Sequence, residues 1–163
     1  MTGTRGTAVA DPGASQRRRS AARLAAVQAL YEMDMVGAEA DAVLTEFLQQ
    51  RWRLDDTGGE PMVEPDGEWL GDLVNGVATR RGELDGLIGQ ALTKDLALER
   101  LETLLRVILR AGAYELSSKR DVPAAAIISE YVEVAHAFFD AKEANLVNGV
   151  LDHLARELRA GEL

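Results

Sequence analysis

The sequence predicts an all-α protein. Apolar side chains recur every three to four residues in several segments, which is the spacing of one face of an α-helix. Alanine, the residue with the highest intrinsic helix propensity, fills much of the space between them. No segment alternates convincingly between apolar and polar residues, so a β-sheet is not expected. With 163 residues, of which 47% are hydrophobic, the chain has the length of about one domain and can bury a core.

The pattern divides the chain into a tail followed by about seven helices. Residues 1–16 show no apolar periodicity and are expected to form a flexible, disordered tail. Helices are predicted from near Ser20 to Gly37 and over residues 41–54, 68–92, 102–118, 123–139 and 142–159, with a short helical turn at 96–101. Two of the four prolines fall at 55–67, which predicts a loop there.

Two of these helices carry specific expectations. In the first, Leu24, Val27, Tyr31 and Met35 share one stripe, and we expect that stripe to face the core. The helix at 68–92 contains five glycines, each of which costs about 1 kcal/mol relative to alanine in a helix. The glycines therefore indicate close helix packing or a bend near Gly82.

The composition excludes several kinds of site. Cysteine is absent, which rules out disulfides, thiolate metal sites and cysteine nucleophiles. The two histidines lie in different predicted helices without metal-ligand spacing, and no phosphate-binding glycine loop follows a strand. We therefore expect no enzyme, metal or cofactor. No apolar run approaches the roughly 18 residues of a membrane span, and no secretory signal opens the chain, so a cytoplasmic location is expected.

Positive charge is concentrated at one end of the chain. Residues 1–23 hold five arginines and one acid, whereas the remainder holds 13 basic and 26 acidic residues, so that the whole chain has a formal net charge of −9. A basic end on an acidic body attracts polyanions locally and repels them elsewhere. The acidic body could also attract a basic protein partner.

Four of these arginines, Arg17, Arg18, Arg19 and Arg23, gather at the start of the first predicted helix. Arg19 and Arg23 are one turn apart and share a face, and we expect all four side chains to face solvent. A planar guanidinium donates two parallel hydrogen bonds to phosphate and also stacks on bases. The alternative is a solvated charge cluster on a disordered end. Because the cost of placing cations against the helix dipole is tolerable beside a polyanion, we interpret the cluster as a polyanion-binding site.

Four stretches resemble the NusB family in order and spacing. The first is Arg-Arg-Arg-Ser-Ala-Ala-Arg-Leu-Ala-Ala-Val-Gln-Ala-Leu-Tyr at 17–31, and the second, at 73–88, resembles the family's long third helix. Residues 106–116 followed by Asp-Val-Pro at 121–123 resemble the family's Ile-Leu-Arg, Tyr-Glu-Leu and Asp-Val-Pro segment. Leu-Val-Asn-Gly-Val-Leu-Asp at 146–152 resembles Phe-Val-Asn-Gly-Val-Leu-Asp. The resemblance covers about residues 17–158.

The resemblance implies a fold and a role. The fold is a helical bundle of two small subdomains, at about 17–67 and 68–163. The role is that of a transcription antitermination factor that pairs with NusE, a small-subunit ribosomal protein, and binds the boxA element of nascent single-stranded RNA. With other Nus factors, such proteins help RNA polymerase to read through terminators, notably in ribosomal RNA operons. The segment from Glu68 onward is expected to provide much of the protein contact, and a monomer and a homodimer both remain open.

The resemblance also assigns site residues. Arg17, Arg18, Arg19 and Arg23 match the family's RNA-contacting cluster. Phe138 and Lys142 lie where the family's C-terminal helices border the RNA. A structural role is the alternative for each: Phe138, like Tyr31, falls on an apolar stripe, which favours burial in the core over base stacking, and Lys142 could be a surface lysine at a helix start.

Three positions depart from the family pattern. Leu146 replaces the phenylalanine before Val-Asn-Gly, Leu105 replaces an acidic residue common just before Arg106, and the 57–67 insert is unusually rich in glycine and proline. Two other functions remain as alternatives. One is an RNA-targeting module like that of ribosomal RNA cytosine methyltransferases, although those enzymes add a catalytic domain with a glycine-rich loop and cysteines. The other is a helical adaptor that binds protein and no RNA.

Overall fold

The computed structural model describes residues 13–49 and 63–163. Within these ranges there is no strand, and the helices are α1 (Ala14–Val36), α2 (Ala40–Gln49), α3 (Gly67–Thr79), α4 (Arg81–Ala91), α5 (Thr103–Ser118), α6 (Ala124–Phe138) and α7 (Ala141–Leu158), with a 3₁₀ turn at Leu98–Arg100. The prediction of an all-α protein of about seven helices is confirmed. The predicted tail, apart from residues 13–16, and the last residues of the second predicted helix with most of its following loop lie outside the described residues.

Helix α5 is the centre of the bundle. Every residue from Val107 to Leu116 is buried, and the helix contacts α1, α3, α4, α6 and α7. A helix that is buried all round needs neighbours on every side, which its apolar and small residues permit. At Gly112 the side chain of Leu151 on α7 occupies the space that a Cβ would need. The central helix thus fixes the positions of the others.

Helix α1 buries a different face from the one predicted. Leu24 and Tyr31 are each 37% exposed and Met35 is 57% exposed, whereas Val27 is buried as expected. The buried face is made mainly of small residues: Ala22, Ala25, Ala26, Val27, Ala29 and Leu30. Alanines permit a close approach of α1 to α3 and α5, and this close packing outweighs the burial of the larger side chains. The predicted inward stripe of α1 was therefore wrong at Leu24, Tyr31 and Met35.

The single helix predicted over 68–92 is two helices. The break falls at Arg80, two residues before the expected bend at Gly82. The Arg80 guanidinium donates to the Glu83 carboxylate at 2.8 and 3.0 Å and to the hydroxyls of the two serines that end α5. Close packing occurs at another glycine, since a Cβ at Gly76 would overlap the ring of Tyr114.

The remaining elements follow the sequence pattern closely. In α2, Leu44 and Phe47 are buried while Leu48 is 41% exposed, and Pro123 stands immediately before the first residue of α6. One continuous core joins the described helices, and α3 packs mainly on α1. The division into two subdomains stays a prediction. Within residues 13–49 and 63–163, no helix is both long and apolar enough to cross a membrane.

Candidate nucleic-acid interface

The arginine cluster lies in the first turns of α1. This helix begins at Ala14, earlier than predicted, so the arginines belong to a formed helix. Arg17 and Arg18 are exposed, and Arg19 is half-buried. The backbone carbonyl of Arg18 accepts a hydrogen bond from the Asp66 N–H at 2.9 Å, which ties this end of α1 to the start of α3. The cluster is therefore presented from a fixed platform.

Arg19 packs on an aromatic ring. Its guanidinium carbon lies 3.9 Å from the centroid of Trp69, in the first turn of α3. The Nε of Arg19 is buried and has no hydrogen-bond partner among the described residues. Trp69 is held by the N-cap of α3, because Asp66 Oδ1 accepts from the Trp69 N–H at 3.2 Å. Sequence reasoning missed Trp69, which lies 50 residues from Arg19 and belongs to no recognised motif.

Arg23 does not face solvent. It is only 4% exposed and donates two hydrogen bonds to Glu115 on α5, at 2.7 and 2.9 Å, and one to Glu130 on α6, at 3.0 Å. Burial alone would lower the pKa of Arg23, but the hydrogen bond and charge of Glu115 outweigh it and raise that pKa. The expectation that all four arginines are solvent-facing was wrong for Arg23, because α1 enters the core one turn after Arg19.

The carboxylates around Arg23 are also hydrogen-bonded. Tyr131 on α6 donates its hydroxyl to Glu115 Oε2 at 2.5 Å, and Ser20 donates to Glu130 Oε1 at 2.6 Å. Burial, followed by the negative charge of Glu115, raises the pKa of Tyr131 well above its ordinary value, so the phenol stays protonated. A buried polar network of this kind is rigid when its members are satisfied. It joins α1, α5 and α6 directly beneath the arginine cluster.

A groove of about 420 Å³ runs beside Arg19, between the start of α1 and the start of α6. Gln16, Arg19 and Ser20 line one side, and the other side includes Pro123 and Ser129. The groove provides space for part of an extended chain next to the exposed arginines.

Phe138 and Lys142 lie at the opposite end of α6. Phe138 ends α6 and is 40% exposed, and Lys142 is exposed in the first turn of α7. The interpretation that Phe138 and Tyr31 belong to the core was wrong, since both rings reach the surface. The last groove-lining residue of α6, Glu130, precedes Phe138 by eight residues, which is about 12 Å along the helix, so these two residues lie outside the arginine groove. The structure does not gather all the predicted site residues into one patch.

The two leucines that depart from the family pattern differ in burial. Leu105 is 4% exposed and belongs to the core, whereas Leu146 is partly buried and packs against the core. Both leucines therefore contribute to the packing of their own helices.

A second groove, of about 580 Å³, lies between α4 and the region that leads into α5. Its polar lining includes Asp85 and Arg110, which share two hydrogen bonds at 2.7 and 3.1 Å. Arg110 also donates to Asp34 on α1 at 3.0 Å, so its charge is matched internally. No pattern in the sequence indicated this groove. Among the described residues, no group of three or more metal-binding side chains is found.

Comparison with known proteins assigns the chain to a family. A model described as the NusB family matches residues 20–156. The transcription antitermination protein NusB of Bradyrhizobium sp. (strain BTAi1) is 46% identical over 146 residues, which are 90% of this chain and 86% of the relative. Its name is that of an antitermination factor, in agreement with the expectation of a non-enzymatic protein.

Solved structures agree with this assignment. T. maritima NusB is 30% identical with a TM-score of 0.69, over 86% of this chain and 91% of that one. A structure described as the antitermination factors NusB and NusE in complex with dsRNA shares the fold, with a TM-score of 0.71 at 23% identity over 86% of this chain and 98% of the matched one. Because the family model matches residues 20–156, a NusB protein is 46% identical over most of the chain and the fold is shared, the chain belongs to the NusB family.

Proposed function

We propose that this protein is a transcription antitermination factor that binds boxA-type single-stranded RNA together with NusE. The observation that carries the proposal is the arginine cluster, with Arg17 and Arg18 exposed and Arg19 held on Trp69 in an otherwise acidic chain. A structural neighbour is described as the antitermination factors NusB and NusE in complex with dsRNA, which supports a partnership with NusE and with RNA. The protein acts in the cytoplasm, with other Nus factors, and promotes read-through by RNA polymerase, notably in ribosomal RNA operons.

The arginines have two different roles in this proposal. Arg17, Arg18 and Arg19 contact phosphates, because Arg17 and Arg18 are exposed at the start of α1 and Arg19 is half-exposed beside them. Arg23 supports the site from beneath through its hydrogen bonds to Glu115 and Glu130. The cluster therefore supplies three phosphate contacts, one fewer than its four arginines would suggest.

Phe138 and Lys142 form a second contact in the proposal. Since Phe138 lies about 12 Å along α6 from the last groove-lining residue, Glu130, one RNA strand that touches both must run along α6. The exposed ring of Phe138 is suited to stacking on a base, and the ammonium of Lys142 to a phosphate. An RNA too short to span α6 should lose one of the two contacts.

NusE binds, in this proposal, to the part of the chain from Glu68 onward. The groove between α4 and α5 lies there, and an acidic body favours a basic protein partner. If NusE strengthens RNA binding, RNA must strengthen NusE binding by the same factor, because coupling between two ligands is reciprocal. Calorimetry with each ligand in both orders measures this factor, and an RNA affinity unchanged by saturating NusE would contradict the cooperation.

The test of the RNA site compares two variants that lose the same charge. One replaces Arg17, Arg18 and Arg19 by alanine, and the control replaces three exposed basic residues elsewhere: Lys94, Arg100 and Arg156. Titration of boxA RNA and scrambled RNA at several salt concentrations gives the affinity and its salt dependence. Each phosphate contact on a single strand contributes about −0.7 to the log–log slope, so the cluster variant should flatten the slope by roughly 2.

The control variant should keep the wild-type slope to within a few tenths. Equal effects of the two triple variants would show that the attraction depends on net charge alone. An affinity for boxA RNA no greater than that for scrambled RNA would remove boxA as the ligand.

A further inference from the structure

Within residues 13–49 and 63–163, three cations converge on the ring of Trp69. The Arg19 guanidinium lies 3.9 Å from the ring centroid, the Lys119 ammonium 4.7 Å and the Arg23 guanidinium 5.6 Å. A cation within about 6 Å of a tryptophan ring is attracted by the negative face of the π-system. Trp69 is therefore the common neighbour of positive charges from α1 and from the end of α5.

These three cations differ in their carboxylate partners. Arg23 is paired with Glu115, and Lys119 is paired with Asp72 at 2.5 Å. Among the described residues, no carboxylate lies within ion-pair distance of Arg19, and its Nε makes no hydrogen bond. Arg19 is thus held in place by the ring of Trp69. Unlike Arg23 and Lys119, it has no carboxylate partner within the described part of the chain.

The backbone that carries the ring is held by hydrogen bonds in both directions. The N-cap Asp66 accepts hydrogen bonds from the N–H groups of Glu68 and Trp69, and the Asp66 N–H donates to the carbonyl of Arg18. The backbone that carries the ring is therefore bonded to the residue next to Arg19. An arginine held in this way loses less rotamer freedom on binding a phosphate than a free surface arginine does.

From this arrangement we infer that Trp69 is a positioning residue for RNA binding: it holds the Arg19 guanidinium ready for a phosphate. The inference rests on the proposed function. It adds a residue outside the arginine cluster and predicts unequal contributions within that cluster. Arg19 should contribute more to affinity than Arg18, although each carries one charge.

The test replaces the ring while leaving every charge in place. Trp69→Leu should weaken boxA RNA binding by about three- to tenfold, which corresponds to the immobilisation of one long side chain. The log–log salt slope should stay within about 0.3 of the wild type, because no phosphate contact is removed. Arg19→Ala should instead flatten the slope by about 0.7. Trp69→Phe keeps an aromatic face and should retain most of the affinity.

A double-mutant cycle separates positioning from direct contact with RNA. If Trp69 acts through Arg19, Trp69→Leu should have almost no further effect in the Arg19→Ala background. The same loss in both backgrounds, or no loss in either, would overturn the inference. Thermal melting monitored by circular dichroism identifies the folded variants. If Trp69→Leu does not fold, Trp69→Met, which removes the aromatic face but keeps a long and flexible apolar side chain, takes its place in the cycle.

Failure of this inference and failure of the proposed function give different results. If wild-type protein does not distinguish boxA RNA from scrambled RNA, the proposed function fails. If wild-type binding and the slope change of Arg19→Ala are as expected but Trp69→Leu binds as the wild type does, the positioning role alone fails. If Trp69→Leu flattens the slope as strongly as Arg19→Ala, the ring does more than position the guanidinium, and the inference is again overturned.

Discussion

Removal of Arg23 should damage the fold far more than removal of a surface arginine with a similar ion-pair distance. Arg23 Nε lies 2.7 Å from Glu115, with the two side chains 5% and 0% exposed. Arg156 Nε lies 2.9 Å from Asp152, but there the side chains are 61% and 40% exposed. The two pairs are alike in distance and opposite in burial, so Arg23→Ala and Arg156→Ala form a matched comparison.

The expected magnitudes follow from desolvation. Breaking a buried pair by removing one partner leaves an uncompensated charge in the core and costs about 3–5 kcal/mol. An exposed pair one helical turn apart contributes about 0.3–0.5 kcal/mol. Since Glu115 also accepts from the buried Tyr131 hydroxyl, the loss at Arg23 should reach the upper part of its range. The difference between the two variants should therefore be several kcal/mol.

Urea denaturation followed by far-UV circular dichroism measures both free energies of unfolding. A combined variant, Arg23→Met with Glu115→Leu and Tyr131→Phe, removes the charges together with the hydroxyl and should recover most of the lost stability. It remains informative if Arg23→Ala alone does not fold. If Arg23→Ala costs less than about 1 kcal/mol, or no more than Arg156→Ala does, the assignment of Arg23 as a buried structural arginine is refuted.

Two further predictions concern the rest of the bundle. The pKa of Glu162 is lowered by a hydrogen bond from the backbone N–H at the start of α6 and then by the charge of Arg159. The ionised carboxylate therefore stabilises the fold at pH values above the ordinary glutamate pKa, and this stabilisation is lost as the pH falls through the lowered pKa. Melting temperatures between pH 3 and pH 7 should show a weaker acid dependence for Glu162→Gln, and identical profiles would contradict this role. Gly76→Ala should destabilise because its Cβ would overlap Tyr114, whereas the exposed Gly86→Ala, with nothing within 4 Å, should stabilise by about 0.5–1 kcal/mol. Stabilisation by both substitutions in urea titrations would exclude the close contact.

The sequence predicted the helical class and the order of the helices, because a repeat of three to four residues is a local property. It did not predict the rotation of α1. Leu24 and Tyr31 are larger and more apolar than Ala22 or Ala26, so the pattern favoured them for the core. The structure buries the alanines because close helix packing needs small residues. Ala22, Ala26 and Ala29 stand four and then three residues apart, so these alanines also have the spacing of one face of a helix.

The candidate site was predicted only in part, again because a sequence pattern reports local structure. The gathering of four arginines is visible in the sequence, but the partners that distinguish them are not. Arg23 meets Glu115 across 92 residues, and Arg19 meets Trp69 across 50 residues. Such long-range pairs leave no local signal in a single sequence. The break at Arg80 was missed similarly, since the serines that hold its guanidinium end a helix 37 residues away.

The separation between Arg23 and Glu115 also orders events during synthesis. At about 5–20 residues per second, the ribosome adds the intervening residues in roughly 5–18 s. Until then the alanine face of α1 has no central helix to dock on, and the Arg23 guanidinium has no carboxylate from α5. The arginines are translated before α5, yet the end of the molecule that carries them is completed only once α5 has been added. A nascent chain arrested before Glu115 should therefore expose α1 to proteases that cannot cleave it in the finished protein.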